Sequence, residues 1–123
     1  MRYLTDYKRA VGRGAARTGT AHHWAMTVSS VALALLVPVF IYIFGSALGQ
    51  GHAAVVETFA RPVPAIVTAL TLVVALHHFR MGAEIWIDDY MRGTARKAAV
   101  IAAVIVSYGA MATGLFALAR IAF

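Results

Sequence analysis

The stretch "AIVTALTLVVALHHFRMGAEIWI" (residues 65–87) decides how this chain is read. Its first half is apolar apart from two threonine hydroxyls; then two histidines, an arginine and a glutamate arrive before the apolar character resumes. A run of this kind is long enough to cross a hydrocarbon core of about 30 Å, which takes about 20 residues as a helix. Ionisable side chains at such depth are costly and are kept where they pair with one another or carry chemistry. The run therefore predicts a membrane helix, and its late polar residues mark the place to look for function.

The whole composition agrees. Hydrophobic residues make up 61% of the 123 positions and charged residues 13%, where soluble domains carry about a quarter charged. Mean hydropathy is +0.75. The formal net charge of +6 is not a nucleic-acid footprint, because the basic residues flank apolar spans instead of forming a basic face on a polar module. There is no cysteine, which excludes disulfides and thiolate-held iron–sulfur clusters within this chain.

Working outward, no charged side chain lies between Arg17 and Glu57. An N-terminal segment over 1–23 thus leads into a first transmembrane helix over 24–48. That helix is far longer than the apolar core of about 7–15 residues in a secretory signal, so it reads as a retained span. Pro38 falls inside it, which a helix packed among others tolerates. An outer loop over 49–61 follows, containing "GQGH" and carrying His52, Glu57 and Arg61. The second span is predicted over 62–87, with Pro62 and Pro64 in its first turn, where proline is accepted. The polar link "DDYMRGTARK" (88–97) connects it to a third span over 98–120, uncharged through residue 119. There Ala99, Ala103 and Ser107 recur four apart, as do Ala110 and Gly114, so another helix can approach closely. The expected architecture is all-α and integral to the membrane: three transmembrane helices forming one anchor domain within a larger, multi-subunit bundle.

Orientation follows from lysine and arginine. The N-terminal segment holds Arg2, Lys8, Arg9, Arg13 and Arg17, the second link Arg92, Arg96 and Lys97, and the first link only Arg61. The N-terminus and the second link are expected on the cytoplasmic side, and the C-terminus across the membrane.

On a helix, positions 4, 7 and 11 apart share a face. His78 shares its face with Gly82, Ile85 and Asp89; His77 shares its own with Met81, Glu84 and Asp88. Neutral imidazole is a standard axial ligand to haem iron, and a flat macrocycle lying on a helix needs little bulk one turn from that ligand. His78 with Gly82 meets the requirement better than His77 with Met81. The same histidines are open to a plainer role, in hydrogen-bonded packing or in a proton path. Arg80 and Glu84 stand one turn apart and can pair; an anion such as a haem propionate is the other partner Arg80 could take. Tyr90 lies roughly 18 Å beyond His78 at about 1.5 Å per residue, at the membrane edge. It suits either an aromatic-belt anchor or a phenol that donates to a quinone carbonyl beside a carboxylate. Asp6–Tyr7 repeats the Asp-Tyr pair, but no apolar span precedes it, so it reads as a short interfacial segment. His22, His23 and Trp24 open the first span as interfacial or partner-facing residues.

The spacing of His78, Gly82, Asp89 and Tyr90 within "HFRMGAEIWIDDY" resembles that in the small membrane-anchor subunits of succinate dehydrogenase, respiratory complex II. "GRGAARTGTAHHW" (12–24) is similar to the glycine-rich approach to the first helix in that family. The resemblance implies a heterotetramer in a bacterial inner (cytoplasmic) membrane. A flavoprotein subunit oxidises succinate, an iron–sulfur subunit relays the electrons, and two anchor chains hold a b-type haem and form a ubiquinone site near the cytoplasmic face. It implies that His78 is one axial ligand, with the other from the larger anchor chain, that Gly82 packs against the haem, and that Tyr90 and Asp89 serve the quinone. The family often carries an arginine near the haem propionates early in the first helix; here Thr27 stands in that region, and Arg80 is the candidate substitute. Asp88 has no clear counterpart. Two other readings make different demands: a small proton-conducting or transporter subunit would use His77, His78, Arg80 and Glu84 as a relay, and a haem-less anchor of the fumarate reductase type would need no ligand at all.

Overall fold

The computed structural model describes residues 4–12 and 19–123, and five helices occur among them: α1 (Asp6–Val11), α2 (Gly19–Ala47), α3 (His52–Ala60), α4 (Pro62–Tyr90) and α5 (Gly93–Ala122). Arg2, Arg13, Arg17 and residues 13–18 of the glycine-rich approach lie outside the described residues. Three helices, α2, α4 and α5, have 29, 29 and 30 residues and are long and apolar enough to cross a membrane. At about 1.5 Å per residue each reaches roughly 43–45 Å, enough to span the hydrocarbon and enter both headgroup layers. The chain is all-α and spans the membrane, as its composition demands: backbone groups in lipid must be satisfied internally, and a helix does so within one segment.

α4 is the central element. α2 and α5 each pack along it, and among the described residues they do not pack against one another. α2 runs unbroken through Pro38. α5 packs tightly on α4 at Gly114, where an added Cβ would sit 2.5 Å from Leu72 Cδ2. That is the close approach expected from the small residues of the third span.

Both connecting regions differ from expectation. The loop expected over 49–61 contains α3, which packs on α2, α4 and α5 at the end where α2 finishes and α4 starts. Its Phe59 is buried, and Glu57 and Arg61 pair at 2.9 Å along one face. The turn is made only by residues 48–51, where Gly49 takes a φ of 79°, a conformation few other residues adopt cheaply. The polar link expected over 88–97 is also shorter. α4 continues through Tyr90, only Met91 and Arg92 are extended, and α5 begins at Gly93, whose φ is 62°. Polar side chains do not by themselves end a helix; α4 stops where Met91 turns to extended backbone, and Gly93 then takes the positive φ at the start of α5.

Candidate functional site

The residues singled out by spacing all sit on the second half of α4, and the two flanking helices sort them. His78 and Gly82 line one cavity of about 610 Å³, bordered on α4 by Phe79, Ala83 and Trp86 and on α5 by Ala102, Ala103 and Val106. His77 instead borders a separate cavity of about 460 Å³ between α4 and α2, with Trp24, Val28 and Ser29. A step of one residue turns a helix by about 100°, so two adjacent imidazoles look into different spaces. Gly82 lines the first space without side-chain bulk; an added Cβ there would meet only Met26 Cε of α2, at 4.0 Å. Met81, one turn beyond His77, is only 2% exposed and fills its own position against the neighbouring helix.

The His78 ring is anchored across helices. Its Nδ1 lies 2.8 Å from Ser29 Oγ on α2, and Nε2 has no hydrogen-bond partner among the described residues. Ser29 is buried mid-helix, and its hydroxyl also donates to the Met26 carbonyl at 2.9 Å. Spacing along the chain could not identify Ser29, because 49 positions separate it from His78 and only packing brings them together.

Arg80 lies elsewhere. Two residues past His78 is about 200° around the helix, and Arg80 does not line the His78 cavity. It donates to Glu84 at 3.3 Å, with side chains 22% and 37% exposed, and its Nε is buried without a partner among the described residues. The i, i+4 pairing is thus present and lowers the cost of keeping both charges near the membrane edge.

At the end of α4 the two aspartates divide. Asp88 receives a two-pronged hydrogen bond from Arg96 on α5, at 2.6 and 2.9 Å, clasping the short link. This gives Asp88 a structural role. Asp89 makes no ion pair or side-chain hydrogen bond among the described residues, and Tyr90 is 74% exposed with its ring tilted against Trp86 at 5.3 Å. Asp89 and Tyr90 therefore stand together, unpaired and accessible, at the end of the helix that holds His78 and Gly82. At the same end, His22, His23, Met26 and Thr27 of α2 line a cavity with Ile85 of α4. Thr27 bonds its own helix, donating to the His23 carbonyl at 3.0 Å.

The described residues contain no cluster of three or more histidine, cysteine, aspartate or glutamate side chains able to hold a bare metal ion. A single imidazole beside an apolar cavity with glycine and alanine in its lining is compatible with a flat macrocycle and not with a bare metal ion. Three bilayer-length helices with an apolar cavity beside one imidazole define a class: a three-span integral membrane protein.

The family model for succinate dehydrogenase/fumarate reductase transmembrane subunits matches residues 1–116. The chain belongs to that family. It is 48% identical over 120 residues to the succinate dehydrogenase hydrophobic membrane anchor subunit of Paracoccus denitrificans, covering 98% of this chain and 93% of the relative. No solved structure matches it.

Proposed function

We propose that the chain is the small membrane anchor of a succinate dehydrogenase, contributing one axial ligand to a b-type haem and one wall of a ubiquinone-reduction site. The observation that carries this reading is the setting of His78: one ring nitrogen tied to Ser29, the other free, beside an apolar cavity that Gly82 also lines. The name of the Paracoccus relative supports the same complex.

In this reading His78 Nε2 ligates the haem iron and Gly82 leaves room for the ring edge. The second axial ligand comes from the larger anchor chain, because the described residues offer no second imidazole in the same cavity. When bound, the haem supplies one-electron redox chemistry whose potential the surrounding chain tunes. Arg80, paired to Glu84 on another face, is a weaker candidate for a propionate contact than its position in the sequence suggested.

Tyr90 and Asp89 act at the quinone. The phenol donates a hydrogen bond to a quinone carbonyl, polarising it for reduction. Full reduction consumes two electrons and two protons, and Asp89, unpaired and exposed, relays protons from water. The positive-inside bias of Lys8, Arg9, Arg92, Arg96 and Lys97 puts this end at the cytoplasmic face of a bacterial inner membrane and the C-terminus in the periplasm. The partners are the larger anchor chain, the iron–sulfur subunit and the flavoprotein subunit.

Purification of the intact complex through a tag on this chain tests the assignment. The expected preparation contains a flavoprotein, an iron–sulfur protein and a second hydrophobic chain, reduces ubiquinone with succinate, and carries a b-type haem. A preparation active with quinone but devoid of haem would overturn the role given to His78 and support the haem-less anchor.

A further inference from the structure

We infer that Ser29 is a positioning residue for His78, fixing the tautomer of its imidazole so that the ring presents a lone pair, not a proton, at Nε2. This inference rests on the haem reading above.

A serine hydroxyl has one proton. Ser29 Oγ lies 2.9 Å from the Met26 carbonyl oxygen and 2.8 Å from His78 Nδ1. With the hydroxyl proton directed at that carbonyl, which can only accept, Oγ meets Nδ1 as an acceptor. In that arrangement Nδ1 carries the imidazole's own proton, the tautomer that an Nε2 ligand requires. A neutral ring has only one such proton, so Nε2 is left as a lone pair available to a metal. The converse arrangement, with the hydroxyl donating to Nδ1, would protonate Nε2 and block ligation. The Ser30 hydroxyl donates to the same Met26 carbonyl at 2.8 Å, so α2 gathers both hydroxyls at one oxygen and points Ser29 toward α4.

Three consequences follow from the geometry. The bond ties the ring plane to α2, a different helix from the one that carries His78, so α2 packing sets the ligand's orientation. The acceptor at Nδ1–H increases electron donation from Nε2, which favours oxidised iron and lowers the reduction potential. The Ser29 side chain itself is buried, 7% exposed, so the bond is made away from bulk water.

The test uses the purified complex carrying Ser29→Ala, Ser29→Thr or Ser29→Val, with His78→Ala for reference. Thr and Val have the same shape and differ in the hydroxyl, and the cavity of about 460 Å³ that Ser29 borders has space for their methyl groups. The readouts are haem stoichiometry, the low-spin ferric electron paramagnetic resonance signal and the midpoint potential. Ser29→Ala and Ser29→Val are expected to shift the resonance and raise the potential, and Ser29→Thr to stay near wild type in both. Overlap of the Ala variant with wild type in resonance and potential would overturn the inference, as would a Thr variant departing as far as Val does, in signal or in assembly. A wild-type complex without haem, or a haem signal untouched by His78→Ala, would instead overturn the underlying reading.

Discussion

His77 and His78 are chemically identical neighbours with different surroundings, and the difference is one of helical phase. His78 shares an open cavity with Gly82, whereas His77 looks toward α2 and has the buried Met81 one turn on. His77→Ala is therefore expected to leave the haem absorption spectrum of the complex unchanged; its loss would shift the ligand assignment to His77. Tyr90→Phe removes one hydrogen bond, worth about 0.5–1.5 kcal/mol, and is expected to raise the KM for quinone roughly two- to tenfold. Succinate oxidation with a soluble artificial acceptor should be unaffected, and an equal loss of both activities would indicate damaged assembly. Glu84→Leu leaves the Arg80 guanidinium, whose Nε is already without a partner among the described residues, with no carboxylate beside it. The expected cost is about 1–3 kcal/mol in thermal stability of the complex, with the haem spectrum intact. A spectrum or proton-coupled activity that depended on Glu84 more than on His78 would favour the relay reading. Periodicity puts His78, Gly82 and Asp89 on one face, with Tyr90 one position further on, because all four share one helix. It was blind to Ser29, since cross-helix register is a product of packing.

Among the elements, the three long helices were legible because each is a bilayer-length apolar run, and a bilayer leaves the backbone no other open-chain option. The short ones were not. α3 was hidden by the glycines before it and by Glu57 and Arg61, which look like loop residues until their spacing of four is seen to be a helical pair at 2.9 Å. The link after α4 was overestimated because polarity was taken for irregularity, although Asp88, Asp89 and Tyr90 are a helical last turn reaching water. Its hidden feature is the Asp88–Arg96 clasp, whose two side chains are 41% and 47% exposed. Solvent screens such a pair, so Arg96→Ala is expected to lower the melting temperature only slightly, less at high salt. The seam between α4 and α5 is more demanding. Gly114→Val would force a branched side chain into space held by Leu72, and overpacking of that kind costs about 1–3 kcal/mol. The readout is the yield and melting temperature of the assembled complex, and a neutral result would show that the seam is looser than the 2.5 Å approach implies.

At the scale of the whole molecule, the chain is a scaffold left open on its sides. Among the described residues α2 and α5 touch α4 but not each other, which leaves a lateral side where Phe79 and Trp86 of α4 and Ile101 and Val106 of α5 are exposed large apolar side chains. Lipid or a partner chain can cover such a surface, and the cavity of about 610 Å³ beside His78 lies along it between α4 and α5. Expressed without its partner chains, the protein is expected to insert but to bind no low-spin, six-coordinate haem, because it offers one ligand where two are needed; the check is the haem content of membranes holding this chain alone. The most direct measurement is the reduced-minus-oxidised absorption spectrum of the intact complex with and without His78→Ala. A b-type haem band that is lost or strongly altered in the variant is the expected result, and an unchanged band would contradict the assignment of His78 as the ligand.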